Sequence, residues 1–183
     1  PLNARIIERR DLSDELAIVR VSPDGGVVPE FEPGQFINLA LPPDPSQQVV
    51  RPANAPPRKG PRLVRRSYSI ASPNTVRDHV ELYLVLVPTG KLTPRLWTIP
   101  QGGRVWMDDK AGGTFTLDGI PRDKDLVMIA TGTGIAPYVS MLRTYRDSNP
   151  PRWRRLVIVH GVRYERDLGY HTELTQAAAD DER

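Results

Sequence analysis

The segment Arg66-Ser67-Tyr68-Ser69 carries three kinds of side chain that a flavin dinucleotide needs. On a strand, residues two apart share a face, so Arg66 and Tyr68 point one way while Ser69 points the other way or lies at a bend. An aromatic ring can stack on a flavin, a guanidinium can bind a pyrophosphate with two hydrogen bonds, and a hydroxyl can approach the reactive ring nitrogen. The same pattern also fits an ordinary barrel strand with a surface arginine and a core tyrosine.

A glycine-rich turn at Gly132–Gly134 is the second place where the sequence could bind a phosphate. It follows the apolar run Leu126–Ala130, which predicts a buried strand, and it precedes a helical pattern. The apolar positions of that pattern share one helical face, and they are Tyr138, Met141, Leu142 and Tyr145. Backbone N–H groups at such a turn and the helix dipole favour a dinucleotide pyrophosphate. Pro137 replaces the third glycine of the Gly-x-Gly-x-x-Gly fingerprint, so the turn departs from that fingerprint.

Arg163 follows a second buried-looking strand, Leu156–His160, at the position where a dinucleotide fold contacts the adenosine ribose. An arginine there suits the 2′-phosphate of NADP, whereas an acidic residue suits the 2′-hydroxyl of NAD. We therefore expect NADP, and Glu165 keeps NAD open as the alternative. Arg143 is either a second phosphate contact or an exposed helix arginine.

Short strands separated by turn signals predict a small antiparallel barrel in the first part of the chain. The predicted strands are Leu16–Val21, Gln35–Leu41, Tyr68–Ala71, Val80–Val87, Arg104–Met107 and Thr114–Leu117. A short helix is expected near Thr93, with Thr93 as its N-cap and Pro94 in its first turn. Strand Asp125–Thr131, the glycine turn, a helix and the second strand then open a parallel α/β unit, and a last helix covers about Gly169–Ala179.

The predicted fold class is therefore two-domain, with an antiparallel β-barrel over residues 1–119 and the start of an α/β parallel-sheet domain over 120–183. A nucleotide-binding parallel sheet normally has about four to six strands, and only two are predicted, so the second domain is expected to be incomplete. Seven prolines in residues 42–65 predict a loop that either covers a ligand or is a tolerated insertion.

The composition narrows the possible functions. The chain has no cysteine, which excludes a thiolate nucleophile, a disulfide, and a cysteine-ligated zinc or iron–sulfur cluster within it. The histidines, His79, His160 and His171, are too dispersed to predict a metal site. A net charge of +3 favours an acidic partner, but the scattered basic residues do not predict nucleic-acid binding. No apolar run reaches the roughly 18 residues of a membrane span, so we expect a cytoplasmic location.

Four motifs occur in an order that is typical of one family. They are Arg-x-Tyr-Ser-Ile-Ala-Ser at residues 66–72, Gly-x-Leu-Thr at Gly90–Thr93, Gly-Gly-Thr-Phe-x-Leu at Gly112–Leu117, and Gly-Thr-Gly-Ile-Ala-Pro at Gly132–Pro137. In this order they resemble the ferredoxin–NADP reductase family, and most of all its bacterial members. The match covers nearly the whole chain, and it implies FAD and NADP(H) as cofactors.

The resemblance also implies roles for individual residues. Arg66 would contact the FAD pyrophosphate, Tyr68 would stack on the isoalloxazine ring, and Ser69 would bond near flavin N5, which makes the last two the candidate catalytic residues. Residues 84–87 would offer backbone groups to the flavin. The implied FAD contacts are Arg66, Tyr68, Ser69, Ile70, Val85, Val87, Gly112, Gly113 and Thr114, and the implied NADP contacts are Thr131, Gly132, Thr133, Gly134 and Arg163.

The function that the resemblance implies is hydride transfer between NADP(H) and FAD, with single electrons passed to or from a ferredoxin or flavodoxin. Two alternatives stay open at this point. One is the reductase component of an oxygenase system, which has the same modules and a different terminal acceptor. The other is a flavin-binding or interaction module without turnover, which the small number of predicted sheet strands favours.

Overall fold

A computed structural model describes residues 2–44 and 63–181, so most of the predicted loop 42–65 lies outside the described residues. The strands are β1 (Ala4–Ser13), β2 (Leu16–Pro23), β3 (Phe36–Leu41), β4 (Val64–Ser69), β5 (Val80–Val85), β6 (Arg104–Met107), β7 (Asp125–Thr131) and β8 (Arg155–Gly161). The helices are α1 (Thr93–Trp97), α2 (Ala136–Tyr145) and α3 (His171–Asp180), and short 3₁₀ turns lie at Gly132–Ile135 and Glu165–Asp167. Strand β1 was not predicted from the sequence, since none of the predicted strands corresponds to it.

Strands β1 to β6 form one antiparallel sheet that closes into a barrel, which confirms the predicted architecture. Their order is β4-β3-β6-β1-β2-β5, and the two outer strands meet where Ile70 pairs with Leu82. Inward-pointing residues fill the barrel, and those with no exposed surface include Ile37, Leu39, Val80 and Val105. The seam of the barrel therefore lies directly after Ser69, at the end of the strand with the candidate flavin contacts.

Thr93 does not cap helix α1, so that prediction was wrong. The N-cap residue is Leu92, and Thr93 already lies in the first turn with Pro94 beside it. The Thr93 hydroxyl instead accepts a hydrogen bond from the Val87 amide at 3.0 Å and lies 3.3 Å from the Val87 carbonyl. The hydroxyl thus stabilises the turn after β5, because that turn offers it both a donor and an acceptor.

The predicted strand Thr114–Leu117 is a loop in the structure. Only Gly112 forms a bridge there, with Phe36 of β3. Beyond it, the Thr116 amide bonds to the Thr114 carbonyl and the Asp118 amide bonds to the Thr116 hydroxyl. These local bonds satisfy the backbone without a neighbouring strand, which explains why the apolar alternation does not produce one.

The second part of the chain begins with the predicted strand, turn, helix and strand. Strands β7 and β8 are parallel and in register from Asp125 with Arg155 to Thr131 with Gly161. Pro137 occupies the first turn of α2, as its position predicted. One face of the sheet packs on α2 and α3, while the apolar residues of the opposite face are exposed, and these are Val127, Ile129, Val157 and Val159. This is the opening of an α/β domain, in agreement with the predicted fold class.

An apolar cluster joins the barrel to the α/β part. Leu16, Ile18, Ala71 and Tyr83 contribute from the barrel, and Ala130, Ile135, Ala136, Val139 and Tyr170 contribute from the other side. The boundary near residue 120 stays a prediction. Within the described ranges, no helix is long and apolar enough to cross a membrane.

Candidate functional site

Strand β4 presents its candidate residues in the alternating order that the sequence predicts. In the antiparallel register Tyr68 lies opposite Ile37 and Arg66 lies opposite Leu39, so both side chains belong to one face. Ser67 belongs to the other face, where its hydroxyl lies 2.6 Å from the Asn38 Oδ1 atom. The pairing therefore places an exposed guanidinium and a partly buried phenol side by side on the outermost strand.

The Tyr68 hydroxyl is buried and has no hydrogen-bond partner in the part of the chain that the structure describes. Burial raises the pKa of Tyr68 to about 12, although the positive charge of Arg66 acts in the opposite direction. A buried phenol without a partner costs free energy that a ligand bearing a polar group can recover. Among the described residues, the Arg66 guanidinium bonds to the neighbouring Arg65 carbonyl at 2.7 Å and to no carboxylate, which leaves its charge for an anion. These two groups fit a ligand that has both a planar ring and phosphates.

Residues 112–114 lie across β3 from the end of β4, although more than 40 positions separate them along the chain. Ser69 pairs with Phe36, and Phe36 exchanges two hydrogen bonds of 2.9 Å with Gly112. A Cβ atom on Gly113 would lie 3.1 Å from the Phe36 ring, and its φ of +104° also favours glycine. Thr114, the next residue, is exposed. Strand β3 thus places Ser69, at the end of the strand with Arg66 and Tyr68, and Gly112 on the two sides of the same residue.

Ile70 and Val87 have less to offer a cofactor than the resemblance implies. The Ile70 side chain is fully buried in the barrel core, and its amide donates to the Gln35 carbonyl at 3.0 Å. The Val87 amide and carbonyl are used by Thr93 and by the Gly90 amide, so the backbone contact expected there is already occupied. The Val87 side chain stays 46% exposed and is the group through which this residue can meet a ligand.

An open cleft of about 1340 Å³ lies between the barrel and the α/β part. Its floor is formed where β7 and β8 end, which is where parallel sheets bind nucleotides. Five of the predicted contacts line it, namely Val85, Thr131, Gly132, Thr133 and Arg163. The β1–β2 hairpin, residues 12–16, forms the opposite wall, and no sequence pattern marked it. Arg66, Tyr68 and Gly112–Thr114 are not among the cleft residues, so the predicted site residues form two neighbouring groups.

The glycine turn has the backbone geometry that a phosphate-binding loop requires. Gly132 has a φ of +52°, and a Cβ atom on Gly132 or Gly134 would have no heavy atom within 4 Å. The space around the turn is therefore open to a ligand, and helix α2 begins directly behind it. The His160 Nε2–H group donates to the Gly132 carbonyl at 2.8 Å and ties the turn to the end of β8. His160 was expected to be a packed residue, and this bond gives it a structural partner in the cleft.

Arg163 is exposed on the cleft wall, directly after β8. Tyr164, which no sequence pattern singled out, is 50% exposed, and the Arg166 guanidinium lies 4.5 Å from its ring centre. Arg143, by contrast, points away from the cleft to Glu81 of the barrel, at 2.8 Å. It is therefore neither a second phosphate contact nor an exposed helix arginine.

Comparison with known proteins gives both a family model and close relatives. Residues 128–183 match the model of the oxidoreductase NAD-binding domain. The flavodoxin/ferredoxin–NADP reductase of Buchnera aphidicola subsp. Baizongia pistaciae is 31% identical over 173 residues, which is 94% of this chain and 61% of that protein. The Escherichia coli protein of the same name is 44% identical over 108 residues, which is 58% of this chain and 42% of that protein.

The fold is also found in solved structures. A ferredoxin NADP⁺ reductase from Neisseria gonorrhoeae, solved with bound FAD and NADP, superposes with a TM-score of 0.76 at 24% identity, over 95% of this chain and 62% of that one. The chain thus spans less than two thirds of the length of these relatives.

Proposed function

Because the chain belongs to the ferredoxin–NADP reductase family, as its motifs predicted, we propose that it binds FAD and NADP(H) and transfers a hydride between them. We further propose that single electrons pass to or from a small redox protein, a ferredoxin or flavodoxin. The observation that carries the proposal is the pairing of two sites. A partly buried tyrosine and an arginine with no acidic partner among the described residues lie at the barrel seam, and a phosphate-type turn opens onto the adjoining cleft.

When bound, FAD supplies the ring that exchanges hydride and that can release electrons singly. The protein's part is to hold the FAD and to orient its ring. The Tyr68 ring would stack against the isoalloxazine, Arg66 would neutralise the pyrophosphate, and the Ser69 hydroxyl would bond near N5. Val85 is the predicted flavin contact that also lines the cleft, so it would lie where the two cofactors approach each other.

The proposal is tested by adding FAD to the purified chain and mixing the complex anaerobically with NADPH or NADH. We expect a protein-bound flavin spectrum that bleaches with NADPH faster than with NADH. Ferricyanide reduction under the same conditions then reports turnover. Protein that retains no flavin after gel filtration would show the proposal to be wrong.

A flavin-binding module without turnover is the second candidate. It is favoured by one observation, which is that Arg66, Tyr68 and residues 112–114 are not among the residues that line the cleft, so the flavin group is separate from the dinucleotide group. This candidate predicts a bound flavin that neither NADPH nor NADH reduces. The anaerobic mixing experiment therefore separates it from the reductase.

Replacing Arg163 with alanine should weaken NADP⁺ binding by about 10- to 100-fold, because a charged hydrogen bond to phosphate contributes about 1.5 to 3 kcal/mol. NAD⁺ binding should change by less than about threefold, since NAD⁺ lacks the 2′-phosphate. Calorimetric titration with both dinucleotides measures the two affinities. Arg166→Ala is the matched control, because Arg166 lines the same cleft but stacks on Tyr164. Equal losses for NADP⁺ and NAD⁺ in Arg163→Ala would contradict the assignment.

Replacing Gly134 with alanine should leave folding intact and damage dinucleotide binding. The added Cβ atom would meet nothing within 4 Å, so we expect the free energy of unfolding to change by at most about 1 kcal/mol. The same atom would stand in the space that a pyrophosphate needs, which should weaken NADP⁺ binding by at least about tenfold. Gly25→Ala, in an open turn of the barrel, controls for the mutation itself. Unchanged NADP⁺ affinity in Gly134→Ala would count against the turn as the phosphate site.

A further inference from the structure

Arg143 forms a polar bridge between helix α2 and the barrel. Its Nη1 atom donates to Glu81 Oε1 at 2.8 Å and to the Ala71 carbonyl at 3.0 Å, and both acceptors belong to the barrel. Its Nε and Nη2 atoms donate to the two carboxylate oxygens of Glu173 on helix α3, at 2.6 and 2.7 Å. One guanidinium therefore connects three elements, and a planar group with five donors suits this role.

Glu81 is the barrel's side of this bridge. It is 3% exposed, which is unusual for a carboxylate, and three groups donate to it. Arg143 and the Tyr170 hydroxyl approach Oε1 from the α/β part, and Arg20 approaches Oε2 at 2.9 Å from within the barrel. The carboxylate is thus fully paired, and two of its three partners lie on the other side of the interface.

The bridge is anchored next to both candidate cofactor sites. Ala71 lies two residues after Ser69, at the barrel seam. The Ser140 hydroxyl of α2 donates to the adjoining Ser72 carbonyl at 2.7 Å, and Ser140 has no exposed surface. Helix α2 itself starts directly after the turn Gly132–Gly134. The contacts of Arg143 and Ser140 therefore connect the end of the flavin strand to the helix behind the phosphate turn.

A second group of contacts holds the same two parts at a different point. The Tyr83 hydroxyl of β5 donates to the Asp167 carbonyl at 2.8 Å and accepts from the Gly169 amide at 3.2 Å. The Tyr83 ring meets the Tyr170 ring edge to face, with centroids 5.2 Å apart. This second group shares Tyr170 with the first and attaches at Tyr83, two residues after Glu81 on β5, so the two groups together hold the barrel and the α/β part at two points.

We propose that Arg143 is a positioning residue, which holds the dinucleotide turn at a fixed distance and angle from the flavin strand through Glu81 and Ala71. This role rests on the proposed function. Hydride transfer needs the donor and acceptor atoms within about 3 to 3.5 Å, and a misplacement of 1 Å can cost about 100-fold in rate. Arg143 touches neither cofactor site directly, so its effect must be on geometry.

The test compares Arg143→Gln with Arg20→Gln in the chain reconstituted with FAD. Both variants remove a cation from Glu81, but only the first breaks a contact across the interface. We expect Arg143→Gln to slow flavin reduction at saturating NADPH by at least about tenfold, with FAD affinity within about threefold of wild type. The flavin of Arg20→Gln should be reduced at the wild-type rate. Arg143→Lys, which keeps the charge but not the several directed bonds, serves if the glutamine variant does not fold, and it should also be slow.

Amide hydrogen exchange supplies a readout that does not depend on activity. Exchange in α2 and in residues 70–73 should rise in Arg143→Gln and stay unchanged in Arg20→Gln. If NADPH reduces the flavin of the wild type, and the flavin of both arginine variants is reduced at equal rates, the positioning role is wrong. If exchange does not rise in Arg143→Gln, the bridge does not hold the two parts together. If wild type binds FAD but NADPH does not reduce it, the proposed function fails and this role with it, whatever the exchange shows.

Discussion

Replacing Glu81 with alanine should lower the free energy of unfolding by about 3 to 5 kcal/mol, the usual cost of removing one partner of a buried ion pair. Glu81 is the acceptor for Arg143, Arg20 and Tyr170, and the variant would remove the barrel carboxylate that pairs with the first of these, which is only 22% exposed. Urea denaturation followed by tryptophan fluorescence measures the change. Glu8→Ala is the matched control, because Glu8 pairs with the same Arg20 at 2.6 Å but is 50% exposed. Its loss should cost less than about 1 kcal/mol, and equal losses would contradict the buried pair.

The contribution of Glu81 should also depend on pH. Desolvation raises the pKa of this carboxyl, but the charges and hydrogen bonds of Arg143 and Arg20 outweigh that effect and hold the pKa below its ordinary value. A group with a lowered folded-state pKa stabilises the protein above its unfolded-state pKa, which is about 4.3 for Glu, and this stabilisation is lost as the pH falls through the folded-state pKa. The stability difference between wild type and Glu81→Gln should therefore be constant near neutral pH and shrink below about pH 4. A difference that grows on acidification would overturn this account.

Replacing Tyr68 with alanine should weaken FAD binding by about 100-fold, because both the buried ring area and the stacking contact are lost. Fluorescence titration of the apoprotein with FAD measures the affinity. The control is Tyr68→Phe, which keeps the ring and removes the hydroxyl that has no partner among the described residues. Without FAD this control should be as stable as wild type or more so, since the buried hydroxyl makes no bond to lose.

The two Tyr68 variants together show what the hydroxyl does. If a bound flavin supplies the hydroxyl with a hydrogen-bond partner, Tyr68→Phe should bind FAD about 5- to 10-fold more weakly than wild type, the equivalent of about 1 to 1.5 kcal/mol. Wild-type affinity in Tyr68→Ala would exclude the ring from the flavin site altogether.

The elements around the candidate dinucleotide site could be predicted from the sequence because their patterns are local. The dinucleotide turn follows a strand and precedes a helix, and Arg163 follows the next strand, so short-range patterns were enough to place them. Strand β1 was not readable. Only Ala4 and Ile6 are buried in it, and its register shifts between Ile6 and Glu8, so the alternation that marks a strand is broken.

The contacts between the barrel and the α/β part could not be predicted from the sequence, for a different reason. Glu81 lies in an apolar strand and Arg143 on an amphipathic helix, and each reads as an exposed charge until the two elements are brought together. Their pairing depends on tertiary packing between positions 62 residues apart, which neither periodicity nor propensity contains. The same holds for Gly112 and Ser69, which pair with Phe36 of β3 from its two sides.

The barrel seam makes folding and cofactor supply interdependent. Arg66, Tyr68 and Ser69 belong to the strand whose end closes the sheet, so FAD bound there would favour the closed barrel over every form in which β4 has come away from β5. By thermodynamic linkage, a cofactor at 100 times its dissociation constant would stabilise the chain by about 2.7 kcal/mol. Cells short of flavin would then lose the folded polypeptide along with its activity, because proteases act on the opened chain.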